Sequence, residues 1–237
     1  MGLNVLELRG IVKAHGGLRP FRLRRLAVAR GEVVVIEGPD AAQAAVLVDL
    51  LTGTTLPDQG EVLVDGRNTR TIESQDEWLA FLERFGLSGE RVVLLPELTL
   101  VQNLAIPLTL SVEPIPTSIR PRVDALAEEA GLPAGRLETA VARAGPAERA
   151  RVRLGRAIAH DPAVLLLEHP TAGMSEAEAS SFGADLRAMA SRRGLTVVAA
   201  SADRRFSGAA ATRALAWTAA TGELIRSGGS LRRLFGF

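Results

Sequence analysis

A run of four β-branched residues that ends at a glycine and restarts as an apolar helix constrains this chain more than any other feature. The stretch is Val33-Val34-Val35-Ile36-Glu37-Gly38, followed by Pro39-Asp40-Ala41-Ala42 and then Gln43 to Leu51. An uninterrupted β-branched run suits a strand buried on both faces, and such strands belong to parallel sheets. Gln43 to Leu51 reads as a helix ended by Gly53. The same alternation returns later. Ala163 to Glu168 reads as a buried strand, Ser175 to Arg193 as a helix opened by the capping box Ser175-Glu176-Ala177-Glu178, and Leu195 to Ala200 as another buried strand. Strands alternating with helices imply an α/β sheet with right-handed crossovers.

The remaining segments surround that core. Val5 to Arg9, Phe21 to Val28 and Glu61 to Val64 read as strands, the last turning at Asp65-Gly66. Asp76 to Phe85 reads as a helix with Trp78, Phe81, Leu82 and Phe85 on one face, and Arg91 to Leu95 as a strand. From Pro96 to about Gly145 prolines become frequent and the helices amphipathic, with Val123, Leu126, Ala127 and Ala130 on one stripe and Pro114 to Pro121 as a loop. The expected organisation is one domain over residues 1–237, with a helical lobe at about 96–145 inserted in the α/β core. Pro146 to Ala159 reads as a further helix. Its arginines, Arg149, Arg151, Arg153 and Arg156, are expected on a solvated face or in ion pairs. The sequence ends in a short basic and aromatic tail, Leu231 to Phe237, which could dock on a partner or on its own core.

Composition removes several function classes. The formal net charge is +1, so no field favours nucleic acid or an anionic membrane. There is no cysteine, hence no disulfide framework, thiolate zinc site or cysteine nucleophile. His15, His160 and His169 are dispersed and suggest no metal site. No apolar run reaches the ~18 residues of a membrane span. The chain is therefore expected in the cytoplasm, reaching the inner face of a membrane only through a partner.

The opening stretch has the layout of the phosphate-binding pattern G-x-x-x-x-G-K-[ST]. There, backbone N–H groups and a helix N-terminus hold a phosphate, the lysine adds a cation, and the hydroxyl binds Mg²⁺. This chain reads Gly38-Pro39-Asp40-Ala41-Ala42-Gln43-Ala44-Ala45. Gln43 replaces the second glycine, Ala44 the lysine and Ala45 the hydroxyl, while Asp40 adds a negative charge. Loss of the lysine removes a charge-assisted contact worth roughly 1.5–3 kcal/mol. The helix dipole remains for weak anion binding.

Several segments in order resemble the nucleotide-binding domain of ATP-binding cassette (ABC) transporters. They include Gly31-Glu32-Val33, Pro57-Asp58-Gln59-Gly60-Glu61-Val62, Leu98-Thr99-Leu100-Val101-Gln102-Asn103-Leu104, the helix Arg151 to Pro162, and Val164-Leu165-Leu166-Leu167-Glu168-His169-Pro170-Thr171. The resemblance spans about residues 4–226. It implies a P-loop NTPase-like cassette: a RecA-like, mostly parallel core, an antiparallel β subdomain and an inserted helical lobe.

The resemblance also locates the chemical positions, and most depart from the family. The family's Walker B strand ends in Asp then a catalytic Glu; here Glu168 and His169 stand there. The signature L-S-G-G-[QE] falls on Ala144-Gly145-Pro146-Ala147-Glu148, of which Glu148 alone matches. The glutamine loop falls on Glu90, the switch histidine on Ala202, and the adenine-stacking aromatic on His15. Family cassettes pair head to tail, each ATP lying between one loop and the other's signature. Either a homodimer or a heterodimer of this chain would have both composite sites impaired.

Two readings follow. In the first, the chain is a pseudo-ATPase cassette with weak or absent ATP and Mg²⁺ binding, serving a membrane permease or another cassette through residues about 86–110, where Leu95, Leu98, Leu100 and Ile106 look exposed. In the second, it is an atypical ATPase with Glu168 on Mg²⁺ and His169 as base, an imidazole titrating near neutrality. A third is a binding module for another anion or nucleotide at the helix N-terminus beginning near Ala42.

Overall fold

The computed structural model describes residues 4–17 and 19–227; the tail from Leu231 to Phe237 lies outside the described residues. The β-branched run forms β3 (Val33–Glu37), inside a six-stranded sheet of order β10-β9-β3-β8-β7-β6. The other members are β6 (Phe85–Ser88), β7 (Val164–Glu168), β8 (Thr196–Ala200), β9 (Arg213–Thr218) and β10 (Glu223–Arg226). β3 pairs parallel with β8 on one edge and β9 on the other, and only β10 runs antiparallel.

Side chains of β3 alternate between two separate cores. Val34 and Ile36 join α1 (Ala41–Leu51) and the apolar faces of β1 (Asn4–Lys13), β2 (Phe21–Ala29) and β4 (Gln59–Val64). Val33 and Val35 join the opposite core around Phe182 and Leu186 of α6 (Glu176–Arg193) and Phe206 of α7 (Arg204–Ala210). Residues Val33 to Ile36 are all at most 2% exposed, which is why the strand shows no polar alternation. β1, β2 and β4, with β5 (Arg67–Asn68), form a second, antiparallel sheet of order β2-β1-β4-β5.

A third core lies between α3 (Leu100–Ala105), α4 (Arg120–Glu129) and α5 (Pro146–Ala157), built on Leu100, Val101, Leu104, Val123, Ala127 and Val152. Leu100 is fully buried there, against the expectation that it faces outward; Leu98 and Ile106 are half-buried, and Leu95 is exposed. The arginines of α5 are not a solvated face. Arg153 and Arg156 donate to the carbonyls of Val92 and Val93 at 3.0 and 2.8 Å, and Arg151 pairs with Asp185 at 2.6 Å.

The segment between α2 (Gln75–Leu82) and α3 departs most from the sequence reading. Phe85 does not end the helix but opens β6, still packing edge-on against Phe81 at 5.3 Å. Residues 91–95 are not a strand. Several of their backbone groups are taken by side chains instead of a ladder. Buried Asn103 accepts from the N–H of Leu95 at 2.9 Å and donates to the carbonyls of Leu95 and Thr99 at 3.0 and 3.1 Å, while Arg153 and Arg156 take the carbonyls of Val92 and Val93. β6 takes the sheet edge because Gly86 lets it lie against α5; a Cβ there would stand 2.2 Å from the carbonyl oxygen of Ala157.

Asn103 should therefore hold this loop in place. Asn103→Leu keeps the volume but leaves the Leu95 N–H without its acceptor, while the carbonyls of Leu95 and Thr99 keep the backbone N–H groups of Leu98 and Asn103; it should lower stability by about 1–3 kcal/mol in urea denaturation.

Candidate functional site

β3 delivers Glu37 and Gly38 to the carboxyl edge of the sheet. Gly38 has φ +114°, and a Cβ there would stand 3.0 Å from the Trp217 carbonyl. Glu37 is held by the hydroxyls of Ser207 and Ser227 at 2.6 and 2.8 Å. Pro39 follows, and Asp40 caps α1. The Asp40 carboxylate accepts from the N–H of Gln43 at 2.8 Å, and the Gln43 side-chain oxygen accepts from the N–H of Asp40 at 2.8 Å. This reciprocal box uses donors that a phosphate-binding loop keeps for its ligand. Ala44 is fully buried, Ala41 and Ala42 are exposed, and Ala45 is half-buried. From Gly38 to Ala45 the loop offers neither a cation nor a hydroxyl.

Parallel strands bring their carboxyl ends to one edge, and a cavity of about 550 Å³ opens there. Ala41, Ala45, Glu90, Glu168, His169 and Ala202 all line it, so five positions read separately from the sequence (loop, glutamine-loop, Walker B, its neighbour and switch) meet in one place. His15 does not line it; it sits half-buried in the loop after β1, next to Ala14, whose N–H donates to Asp58. Asp203, on the same cavity wall, caps α7 by accepting from the N–H groups of Arg205 and Phe206.

Glu168, at the end of β7, does not face the cavity as a free carboxylate. Arg91 donates to it through Nε, at 3.1 and 3.0 Å to the two oxygens, and again through Nη2. Nη1 of the same guanidinium reaches Asp49 of α1 at 2.9 Å. The hydrogen bond to Glu168 above all, with Asp49 behind it, pushes the Arg91 pKa up from its already high ordinary value. Arg91 was not singled out in the sequence. Its signal is Gly89-Glu90-Arg91, a glycine and a charge just before the expected strand Arg91 to Leu95 and a second charge opening it.

His169 adopts a left-handed backbone, φ +42°, while its N–H pairs with the Ala200 carbonyl at 2.9 Å. Its Nε2 is buried without a hydrogen-bond partner among the described residues. A second cavity of about 130 Å³ joins His169 and Glu90 to Pro146, Arg149 and Arg153 of α5. The signature positions act here as a helix start: Pro146 occupies the first turn of α5, and Glu148 accepts from the Gly145 N–H at 2.9 Å.

A sequence model of the ABC transporter family matches residues 23–172. The methionine import ATP-binding protein MetN of Brucella abortus (strain 2308) is 28% identical over 194 residues, 82% of this chain and 52% of that protein. The methionine import ATP-binding protein MetN 2 of Burkholderia mallei (strain ATCC 23344) is 31% identical over 184 residues, 78% and 46% of the two. The chain thus spans about half the length of the curated relatives it matches. Among solved structures, cbiO1 from Clostridium perfringens, part of the ABC transporter complex cbiONQ, is similar with TM-score 0.75 at 20% identity, over 94% of this chain and 87% of that one. The dimeric structure of MJ0796, a bacterial ABC transporter cassette, gives 0.72 at 22%, over 89% and 93%. At these identities the two structures show the fold.

Glu148 links the signature segment to acid stability. Its bidentate contact with Arg136, and then the Gly145 N–H, hold its carboxyl below the ordinary carboxylate range. A depressed carboxylate stabilises the fold fully above its unfolded pKa and loses that contribution as pH falls through the folded value. Glu148→Gln should cost about 0.5–1 kcal/mol at pH 7, given the half-exposed Arg136, and almost nothing near pH 3. Urea midpoints at the two pH values measure the difference.

Proposed function

The chain belongs to the ABC transporter family and has the fold of its ATP-binding cassettes, and on that premise we propose that it is a pseudo-ATPase, a cassette subunit that serves a membrane permease or a second cassette without turning over ATP. The observation that carries this reading is the reciprocal Asp40–Gln43 cap. A carboxylate of the chain itself sits at the helix N-terminus, where the family holds a phosphate, and the helix dipole stabilises that carboxylate instead.

ATP and Mg²⁺, which the family implies, fit these residues poorly. Ala44 supplies no cation for phosphate oxygens and Ala45 no hydroxyl for the metal. Asp40 repels an incoming anion, and Glu168 is already bonded by Arg91. Gly145-Pro146 lacks the serine by which a signature segment contacts a nucleotide across a dimer, and Pro146 lacks an N–H. His15, the candidate adenine-stacking residue, lies off the cavity.

The partner surface we assign is about residues 86–110. Val93 is 69% and Leu110 96% exposed, and Leu87 and Leu95 are exposed beside them. A groove of about 670 Å³ runs there between Phe85, Leu87, Val92, Pro107 and His160. The relatives, import ATP-binding proteins and a part of a transporter complex, support a permease as occupant; the dimeric cassette supports self-pairing or pairing with another cassette as the second mode. Among the described residues no helix is long and apolar enough to cross a membrane, so attachment would run through the permease.

One observation favours the rival reading, an atypical ATPase. His169 keeps an unpartnered Nε2 beside the cavity, as a base awaiting a substrate would. Calorimetry of the purified chain with ATP-Mg²⁺, with phosphate release followed on the same sample, separates the two. We expect no binding heat at millimolar ATP and no phosphate release. Mg²⁺-dependent release that disappears in His169→Ala would replace the pseudo-ATPase with the ATPase.

A further inference from the structure

The Arg91 cluster has a geometry that the cassette reading alone does not require. All three guanidinium nitrogens are engaged, Nε and Nη2 on Glu168 and Nη1 on Asp49. The two carboxylates come from different elements, Asp49 from α1 and Glu168 from β7, and Arg91 from the loop after β6. Glu168 is only 14% exposed at its side chain, so its charge needs a counter-ion close by. Arg91 and Glu168 line both the 550 Å³ cavity and a smaller one of about 280 Å³ around Asp49, Thr52 and Trp78. The guanidinium thus stands between two spaces that both reach Glu168, the smaller of which also reaches Asp49.

The approach of the loop is built in. A Cβ on Gly89 would stand 2.9 Å from the Glu168 Cβ, so a glycine two residues before Arg91 is what lets the backbone come close enough. Among the described residues no three His, Cys, Asp or Glu gather into a metal-binding group; Asp49 and Glu168 share one cation, and it is covalent.

We propose that Arg91 is a built-in substitute for a divalent cation: its guanidinium fills the positive position between Glu168 and Asp49 and ties the β6–α3 loop to α1 and β7 without any ligand. This deepens the pseudo-ATPase reading and rests on it. The planar fork suits the part, because it neutralises charge and bonds two carboxylates at fixed angles, which an ammonium does less well. A chain built this way is insensitive to Mg²⁺ and Mn²⁺, its cassette core being locked in a single electrostatic state.

The test is done without nucleotide, so that its failure is distinct from failure of the pseudo-ATPase reading, which calorimetry with ATP decides. Wild type, Arg91→Met, Arg91→Lys and Arg91→Met/Glu168→Gln are melted with and without millimolar MnCl₂, and free Mn²⁺ is counted by electron paramagnetic resonance. Wild type should bind no Mn²⁺ and keep its Tm. Arg91→Met should melt about 3–8 °C lower, recover part of that loss with Mn²⁺, and bind the ion measurably at the millimolar concentration at which wild type does not. Arg91→Lys, which keeps the charge, should stay Mn²⁺-insensitive, and the double variant should lose the recovery. The proposal is overturned if wild type binds Mn²⁺ as well as Arg91→Met, or if Arg91→Met melts with wild type and ignores the ion. If Arg91→Met does not fold, Arg91→Lys still decides: a Mn²⁺ response in that variant rejects the proposal.

Discussion

Everything in this molecule hangs on β3 being paired along both edges and covered on both faces. A strand in that position has no solvent-exposed side, so its composition is dictated by the sheet, and Val33 to Ile36 satisfy it with four consecutive branched side chains. Its parallel neighbour β8, and β7 beyond it, end at the same edge, so Glu37, Glu168 and Ser201 arrive together whatever chemistry they support. The cavity at that edge is a product of backbone topology. Its polar chemistry is a product of a handful of side chains, and the two vary independently.

What distinguishes the side chains around the cavity is that they satisfy one another. Asp40 and Gln43 exchange hydrogen bonds across the start of α1, Arg91 bonds Glu168 and Asp49, and Asp203 caps α7. An unpaired polar group in such a setting costs about 1–3 kcal/mol, so internal pairing stabilises the fold while withdrawing donors and acceptors from any ligand. Among the buried side-chain polar atoms of the described cavity wall, the Nε2 of His169 alone lacks a partner.

Much of this was legible in the sequence where the pattern is local. The buried runs at 33–37 and 164–168, the capping box at Ser175, and the first turn at Pro146 each follow from residues adjacent in the chain. The misreadings share a different cause. Residues 91–95 look like a strand by composition, but their backbone partners are Asn103, Arg153 and Arg156, which no local pattern predicts. No element is read from the sequence beyond Ala200, because α7 is short and the alternation of β9 covers only four residues, Leu215 to Thr218. Arg91 was passed over because its meaning depends on Asp49 and Glu168, which lie 42 and 77 residues away along the chain.

The Asp40–Gln43 box also sets the direction in which this loop can change. A lysine introduced at position 44 would start from a fully buried Cβ and would find the Asp40 carboxylate nearby, so its first partner would be that acid and not an incoming anion. Removing Asp40 first would uncap α1, at about 1 kcal/mol, before any new contact existed to offset it. Glu168 would still be held by Arg91 in either order. Converting this loop to one with a lysine and an uncapped helix N-terminus therefore takes several substitutions together, because each alone leaves a group buried or unpaired before a new contact offsets it.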